Sequence, residues 1–312
     1  MRACTLARLW GAAALSAAAP AVPLRAEAVL RAERAPDRLV IRIDGELFTE
    51  YRFAADQKYP YFYPVVGPLS GASVTTESCA PYPHHHSLFL GCDRVNGGNY
   101  WQEGNERGQI LQRELTLDRA EGDAIVFHTR NEWARPGAPS PLADRRAIRV
   151  TAPATALRVI DFGIRLTALE EVVIEETNHS LFSARVAPEL AVTRGGMLIN
   201  AEGARGEQAT FGARSTWMDY AGQRGGVTEG LAILDHPRNR WSPPPWFTRD
   251  YGFFSPTPMF WLEGDRLLIG RGDSIELHYR VVVHGGTAVE AGIAEIYRDW
   301  AAAPPPAGAP GE

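Results

Sequence analysis

The sequence predicts an all-β protein: a large antiparallel β-sandwich with one helix near the C-terminus. Short segments of alternating apolar and polar residues recur along the chain, which is typical of half-buried strands. Turn-forming residues are frequent, with 30 Gly and 23 Pro in 312 residues, and only one segment has apolar residues at helical spacing. These observations favour a sandwich over a helical or mixed α/β fold.

The first predicted elements are a hairpin and an irregular strand. Apolar residues alternate through 39–43, and Asp44-Gly45 predicts a tight turn into a second strand at 47–53. Segment 59–66 is aromatic and rich in β-formers, but it contains two prolines, which lack the N–H that a ladder needs. We therefore expect this segment at a sheet edge or as an irregular strand.

The middle of the chain contains further strand candidates. Segments 110–117 and 124–130 are predicted to pair, and 158–166 alternates strictly. Segment 134–145 contains three prolines and no periodicity, which predicts a loop, and the aromatic, proline-rich segment 241–258 predicts a long ordered loop beside a site. The other strand candidates are 172–176, 197–200, 214–220, 231–234, 266–270 and 275–284.

One helix is predicted after the last strand. Thr287 and Glu290 have the spacing of a capping box, in which each side chain accepts a hydrogen bond from the other residue's amide. A stripe of apolar residues at helical spacing follows, and its members are Val289, Ile293, Ile296, Tyr297 and Trp300. We expect this stripe to pack against a sheet and the proline-rich tail at 301–312 to be disordered.

The N-terminal segment, residues 1–28, predicts a secretory signal peptide. Arg2 and Arg8 precede or begin an apolar, alanine-rich run at 9–22, and Ala26-Glu27-Ala28 fits a cleavage site. The alternative is a membrane anchor, but the run is shorter than the roughly 20 residues of a membrane span. The sequence therefore predicts an exported bacterial protein, periplasmic or secreted, with no transmembrane segment after signal removal.

Composition limits the remaining possibilities. The net charge of −5 gives no reason to expect nucleic acid as a partner, since that usually needs a basic patch. No composition shift divides residues 29–300, which we predict to be a single domain. Cys4 belongs to the signal segment, which leaves Cys79 and Cys92. In an oxidising compartment these two either form a disulfide or remain separate thiols, and the sequence leaves both readings open. The oligomeric state also stays open.

A run of three histidines is the most conspicuous polar feature. His84, His85 and His86 follow Pro81-Tyr82-Pro83 and precede a short apolar segment. In an extended chain, His84 and His86 would share a face and His85 would not, unless a turn gathers them. Histidine is both a general acid/base and a common metal ligand, so His84 and His85 are candidate catalytic residues. A solvated loop or hydrogen-bonding core residues are the structural alternative.

A second polar cluster, Asp235-His236-Pro237, lies far downstream. We predict that the fold brings it to the first cluster to form one catalytic site, in which His236 joins His84 and His85 as a general acid/base or metal ligand. Asp235 and Asp219 are predicted catalytic residues that orient these histidines or pair with substrate hydroxyls. His84, His86 and His236 could then hold one divalent metal ion, although three convergent ligands cannot be counted from sequence. The alternative is that Asp235-His236-Pro237 only forms a turn at the end of a strand and has no functional role.

Aromatic residues beside amides and carboxylates indicate a sugar ligand. Sugar rings stack on aromatic faces while their hydroxyls pair with polar side chains. The candidate substrate-binding residues are Trp101, Asn96, Glu103, Trp217, Tyr220, Arg249 and Tyr251. Arg249 could anchor an anionic group or form a structural pair with Asp250. For the others, surface turns and a core tryptophan are the structural alternative.

Several motifs together resemble the bacterial "methane oxygenase PmoA" family. The motifs, in order, are 59–68, Pro83-His84-His85, 93–97, Trp217-x-Asp219-Tyr220-x-Gly222, 230–239 and Arg249-x-Tyr251-Gly252. The resemblance spans about residues 38–285. It implies an exported β-sandwich of the galactose-mutarotase type and a carbohydrate context. The true particulate methane monooxygenase subunits are membrane-embedded, so copper-dependent oxidation is the least favoured function.

The chain departs from that family at two places. The family's Asp-His-Pro-His-His-Arg corresponds here to residues 81–86, and its Trp-His corresponds to Trp246-Phe247. A site that needs every family histidine would therefore be impaired, unless His86 compensates or the chemistry has changed. The sequence predicts an enzyme acting on a sugar or modified glycoside as a lyase, epimerase or hydrolase; a non-catalytic carbohydrate-binding protein is the alternative.

Overall fold

A computed structural model describes residues 28–304. The first ten strands are β1 Leu30–Arg34, β2 Arg38–Ile43, β3 Glu46–Arg52, β4 Tyr61–Val65, β5 Leu88–Val95, β6 Gly98–Asn99, β7 Gln109–Arg119, β8 Glu121–Gly122, β9 Ala124–Arg135 and β10 Ala138–Ala154. The next ten are β11 Leu157–Ala168, β12 Val172–Glu175, β13 Ser180–Arg185, β14 Met197–Asn200, β15 Trp217–Arg224, β16 Val227–Asp235, β17 Trp246–Arg249, β18 Phe253–Pro256, β19 Arg266–Ile269 and β20 Ser274–Gly285.

Helices contribute little to the described part of the chain. The α-helices are α1 Gly206–Thr210 and α2 Ile293–Ala302, and short 3-10 turns lie at Asn105–Arg107, Pro188–Leu190, Val192–Arg194 and Pro258–Phe260. Within residues 28–304, no helix is long and apolar enough to cross a bilayer. The predicted signal peptide falls outside the described residues except for Ala28. The predicted disordered tail, 301–312, is corrected at its start, because α2 continues to Ala302, and its part beyond residue 304 falls outside the described residues.

The strands form two antiparallel sheets. One sheet has 12 strands, with the main order β17-β18-β13-β5-β4-β3-β2-β1-β8. The other has 8 strands, in the order β14-β15-β16-β20-β11-β10-β9-β7. The predicted class, a large antiparallel β-sandwich with a C-terminal helix, is confirmed.

Alternation along the strands directs one face of each sheet into the core. Phe182 of β13 stacks on Tyr279 of β20 at 4.9 Å and approaches Phe162 of β11 at 4.7 Å, so these rings join the two layers. Burying each such ring stabilises the fold by roughly 2–3 kcal/mol. Because neighbours along a strand face opposite sides, the residues of β13 on either side of Phe182 lie on the outer face of the 12-stranded sheet.

One charged pair is buried within the sandwich and is fully matched. Arg146, 1% exposed by side chain, donates from Nε to Asp144 Oδ1 at 2.9 Å. Trp133 Nε1 donates to the other oxygen of Asp144 at 2.8 Å. The guanidinium and the carboxylate thus satisfy one another, as buried charges require.

The structure corrects two predictions about individual segments and confirms one of the two alternatives given for a third. Residues 134–145 are not a loop, because β9 and β10 continue through them and a register shift between Ala138 and Leu142 accommodates the prolines. Segment 241–258 contains the paired strands β17 and β18. Segment 59–66 lies between β3 and β5 rather than at an edge, although its pairing with β3 is irregular, as expected.

The helix begins later than predicted. Thr287 and Glu290 do form the reciprocal box, with Thr287 N donating to Glu290 Oε2 at 2.8 Å, but the box closes a turn before the helix. Gly292, at φ +68°, separates this turn from α2, a conformation that glycine adopts at little cost. Val289 is therefore 85% exposed and does not belong to the packed stripe.

The two described cysteines are free thiols. Cys92 is buried on β5, and Cys79 is partly exposed in the preceding loop. Of the two readings that the sequence left open, the structure has the separate thiols.

Candidate functional site

A pocket lies on the outer face of the 12-stranded sheet. Its volume is about 210 Å³, and its walls come from the histidine run, the turn after β6, the segment before β13, and the hairpin of β17 and β18. The lining residues are Tyr82, His84, His85, Gln102, Asn178, His179, Phe247, Arg249, Tyr251 and Phe253. The pocket therefore gathers His84, His85, Arg249 and Tyr251 from the residues that the sequence predicted.

A turn presents two histidines of the run to the pocket. The amide of His85 donates to the carbonyl of Tyr82 at 3.1 Å, and the hydroxyl of Tyr59 donates to the carbonyl of His84 at 2.7 Å. His84 and His85 consequently line the same pocket. His86 lies apart, with Nδ1 3.6 Å from Glu77 Oε1. The extended arrangement, in which His84 and His86 share a face, is thus corrected.

Burial keeps the two pocket histidines neutral. It lowers the pKa of His84 to about 4, with a further contribution from His179, and it lowers the pKa of His85 to about 2, with further contributions from His84 and Arg185. At neutral pH neither imidazole carries a charge, and each can accept a hydrogen bond at its unprotonated nitrogen. His85 Nδ1 is buried without a hydrogen-bond partner.

A third histidine is held by a carboxylate. His179, which precedes β13, places Nδ1 2.9 Å from Oδ2 of Asp93, a residue of β5 that is 6% exposed. The hydroxyl of Thr177 donates to the other oxygen of Asp93. The His179 tautomer that donates from Nδ1 is the one that matches an ionised carboxylate, because such a group only accepts hydrogen bonds; Gln102 Nε2 lies 3.4 Å from the same Nδ1. The lone pair of His179 is then on Nε2, as in a general base.

Aromatic rings form the rest of the pocket. Tyr82 stacks on Tyr251 with 4.9 Å between centroids, and His85 stacks on Phe253 at 4.4 Å. Trp101, predicted to stack on a sugar, does not line the pocket, and that prediction is corrected: the residue is buried in the core, with its ring centroid 5.7 Å from that of His179 and its Nε1 without a hydrogen-bond partner. Burial, followed by the neighbouring Tyr82, raises the pKa of Tyr251 to about 12, so its hydroxyl keeps its proton at neutral pH.

Arg249 lies at the pocket wall on β17. Its Nη1 donates to Glu207 Oε1 at 2.9 Å, so its structural partner is Glu207 and not the adjacent Asp250. The guanidinium carbon lies 4.1 Å from the ring centroid of Phe247 and 4.7 Å from that of Phe211. These contacts hold the guanidinium flat against aromatic rings at the edge of the pocket.

The second predicted cluster belongs to a different part of the fold. His236 follows β16 in the 8-stranded sheet, and its ring lies 4.9 Å from Trp300 of α2 and 6.0 Å from His278. Its Nε2 is 3.4 Å from the carbonyl of Ala303. The two clusters have no contact in common, and the prediction that they form one site is corrected. Their separation follows from the assignment of the two segments to different sheets.

The two predicted aspartates are buried away from the pocket. Asp235 accepts a hydrogen bond from Asn239 Nδ2 at 2.6 Å, and burial raises its pKa to about 7. Asp219 Oδ2 lies 2.7 Å from His284 Nε2, with both side chains fully enclosed. Burial opposes a charge on His284, but the charge and hydrogen bond of Asp219 outweigh it and raise the pKa of His284.

The remaining predicted binding residues have local structural partners. Asn96 Nδ2 donates to Glu170 Oε1 at 2.9 Å in a turn. Glu103 pairs with Arg107 at 2.9 Å on the surface. The last two predicted residues are buried at strands: Trp217 packs in the cluster beneath α2, and Tyr220 donates from its hydroxyl to the carbonyl of Arg249 at 2.5 Å.

The proposed metal ligands do not converge. His86 faces Glu77, whereas His236 lies beside α2. Among residues 28–304, no group of three or more His, Cys, Asp or Glu side chains is arranged to hold a metal ion. The prediction that His84, His86 and His236 bind one metal ion together is therefore wrong.

The sequence reasoning missed the Asp93–His179 pair. The two residues are 86 positions apart, and neither has a neighbour in sequence that indicates an acid/base role. Asp93 does belong to the motif at 93–97 that carries the family resemblance, which was the one available signal. Tyr82 and Phe253 were missed because their role depends on stacking across separate loops.

The fold and the pocket together define a β-sandwich protein with a histidine-lined pocket on one outer sheet face. The chain belongs to a family of unknown function, DUF6807, whose model matches residues 38–298. A search of curated proteins found no match.

Two solved structures illustrate what the fold is similar to. A polysaccharide lyase matches 83% of this chain with 12% identity and a TM-score of 0.32, and this chain spans 33% of that protein. A galactose mutarotase related enzyme from Lactobacillus acidophilus matches 82% of this chain and 97% of its own, with 8% identity and a TM-score of 0.28. Likeness at this level says nothing about the reaction.

Proposed function

We propose that the protein is an exported enzyme that acts on a sugar or modified glycoside, with His179 as its general base. The observation that carries the proposal is the Asp93–His179 pair in the wall of the pocket, with Nδ1 and Oδ2 2.9 Å apart. A carboxylate that fixes one ring nitrogen orients the imidazole and stabilises the charged form that appears when Nε2 takes a proton. Lyases, epimerases and hydrolases all require such a proton acceptor.

The surrounding side chains suit a sugar. Tyr82 and Tyr251 offer stacked ring faces, and Gln102 and Asn178 add amides that can both donate and accept. A volume of about 210 Å³ fits one sugar ring more closely than a long chain. Tyr251, whose burial holds its pKa at about 12, can return a proton to the leaving or inverted atom as His179 removes one.

A non-catalytic sugar-binding protein is the second candidate. The stacked pair of Tyr82 and Tyr251, and the neutral rings of His84 and His85, would serve binding without any proton transfer. Under this alternative the Asp93–His179 pair is only a fixed hydrogen-bond partner for a hydroxyl.

A substrate screen with two variants separates the candidates. The protein without residues 1–28 is incubated with a panel of mono- and oligosaccharides, and products are followed by mass spectrometry while affinity is measured by calorimetry. We expect His179→Asn to abolish turnover and Asp93→Asn to lower it by about 10²-fold or more, with the dissociation constant little changed. Equal binding by all forms with no product from any sugar would contradict the enzyme and leave the binding protein.

A further inference from the structure

One buried arginine beneath the pocket has no partner of opposite charge. Arg185 of β13 is 4% exposed, and its Nε and Nη1 atoms are buried without a hydrogen bond. No ion pair among the described residues involves it. Arg146, buried in the same protein, is by contrast matched by Asp144 at 2.9 Å. An unmatched buried charge is costly, so its persistence indicates that a ligand supplies the counter-charge.

The sheet places Arg185 on the pocket side. Arg185 pairs in register with Phe253 of β18, and Phe253 pairs with Arg249 of β17. Directly opposed residues in a ladder share a face, so the two arginines flank Phe253 on the outer face. With strands about 4.8 Å apart, their Cα atoms are roughly 10 Å apart. His85, stacked on Phe253 at 4.4 Å, lies above them.

The contacts that Arg185 makes within the protein do not compensate for the missing negative charge. Its guanidinium carbon lies 4.3 Å from the ring centroid of Tyr251, a pocket residue. A cation–π contact returns only a fraction of what burial of a charge costs. His85, the nearby titratable group, is neutral because its pKa is lowered to about 2. Arg249 differs, since Glu207 balances its charge at 2.9 Å.

We infer that the ligand of this pocket is an acidic sugar, whose anionic group is bound by Arg185 with Arg249 on the other side of Phe253. This inference rests on the proposed function and narrows its substrate class. A guanidinium offers parallel N–H donors to a carboxylate or a sulfate, which a neutral hydroxyl cannot use to the same extent. Uronic acids and sulfated sugars share this chemistry.

Matched ligand pairs test the inference on the unmodified protein. The probes are the methyl glycosides of glucuronic, galacturonic and mannuronic acid, each compared with its methyl ester, and galactose 6-sulfate compared with galactose. We expect one acid to bind at least about tenfold more tightly than its neutral partner, the value of one charge-assisted hydrogen bond. Preference for a uronate or for the sulfate identifies the anionic group.

A variant pair assigns the effect to Arg185. Arg185→Met should lower the affinity for the preferred acid about tenfold and leave the affinity for the neutral partner of that acid unchanged. Arg165→Met is the control, because it removes the same charge from an exposed pair on the other sheet. Circular dichroism and the melting temperature report folding; if Arg185→Met does not fold, the ligand pairs on the unmodified protein still decide.

The outcomes separate this inference from the proposed function. Equal binding of acid and neutral partner overturns the inference while the sugar site stands. Loss of affinity for both partners in Arg185→Met also overturns it, since the residue would then only support the pocket. Failure of every sugar to bind contradicts the inference and the proposed function together.

Discussion

At the scale of single residues, buried ionisable groups fall into matched pairs and unmatched groups. Arg146 with Asp144, and His284 with Asp219, are pairs in which each charge has its partner within 3 Å, at 2.9 and 2.7 Å. Asp235 is different, because the side chains that donate hydrogen bonds to it are neutral: Asn239, at 2.6 Å, and Ser242. It was predicted as a catalytic residue from its place beside His236, and its surroundings instead make it a stability element sensitive to pH.

Asp235→Asn should change how stability depends on pH. The pKa of Asp235 is raised from 3.8 to about 7 by burial. The folded state therefore keeps a proton that the unfolded state releases near pH 4, and stability falls as the pH rises from about 4 to 7. At about 1.4 kcal/mol per pH unit, this contribution is on the order of 4 kcal/mol.

Urea unfolding at several pH values measures the effect. The asparagine side chain does not titrate. The free energy of unfolding of the variant, minus that of the unmodified protein, should therefore increase steadily between pH 4 and pH 7. Histidines such as His84, with a lowered pKa, give the opposite slope in both proteins and cancel in the comparison. Parallel curves for the two proteins would show that Asp235 is ionised or solvated in the fold.

At the scale of elements, alternation predicted the strands well and the connections poorly. Leu277, Tyr279 and Val281 alternate along β20 and are buried on its inner face, as the strand period of two requires. The loop predicted at 134–145 failed for a different reason: proline disfavours a ladder only where an N–H is needed, and a register shift removes that need. Long-range pairing therefore overrode the local signal.

Helix α2 is a cover for the 8-stranded sheet. Ile293 and Trp300 are buried with Trp217 and Leu234, and Trp300 also contacts His236 at 4.9 Å. This packing accounts for the buried position of a histidine that the sequence placed in the active site. It also gives α2 a role that is independent of the pocket.

Trp300→Ala should destabilise the protein without altering the pocket. Removing a buried tryptophan typically costs about 3–5 kcal/mol through lost burial and the cavity left behind. We expect a lower midpoint of urea unfolding and an unchanged dissociation constant for whichever sugar binds. A loss of sugar affinity in the folded variant would mean that α2 and the second cluster take part in the site after all.

At the scale of the whole molecule, the fold was predictable and the site only in part. The sandwich follows from the alternation of apolar and polar residues within each strand, which can be recognised from the few residues of that strand alone. The pocket is assembled from four separate segments: the histidine run, the turn after β6, the start of β13 and the β17–β18 hairpin. His84, His85, Arg249 and Tyr251 were found because their residue types stand out, whereas Asp93 and His179 become a pair only through the pairing of β5 with β13.

The same pairing explains why the two histidine clusters are separate. The first cluster leads into β5 and the second ends β16, and these strands belong to different sheets. Sequence gives no direct information about which sheet a strand joins, so joining the clusters was a reasonable but incorrect step. We therefore propose that the sugar binds beside His84, His85 and His179.

Histidine-selective NMR during a sugar titration tests this claim most directly, since the chain has 8 histidines distributed over both sheets. Ring resonances are assigned by single His→Asn or His→Gln variants and followed as sugar is added. We expect the ring resonances of His84, His85 and His179 to shift together with one dissociation constant. The resonances of His236, His278 and His284 should not shift. Shifts at His236 and His278 without any at His179 would contradict it.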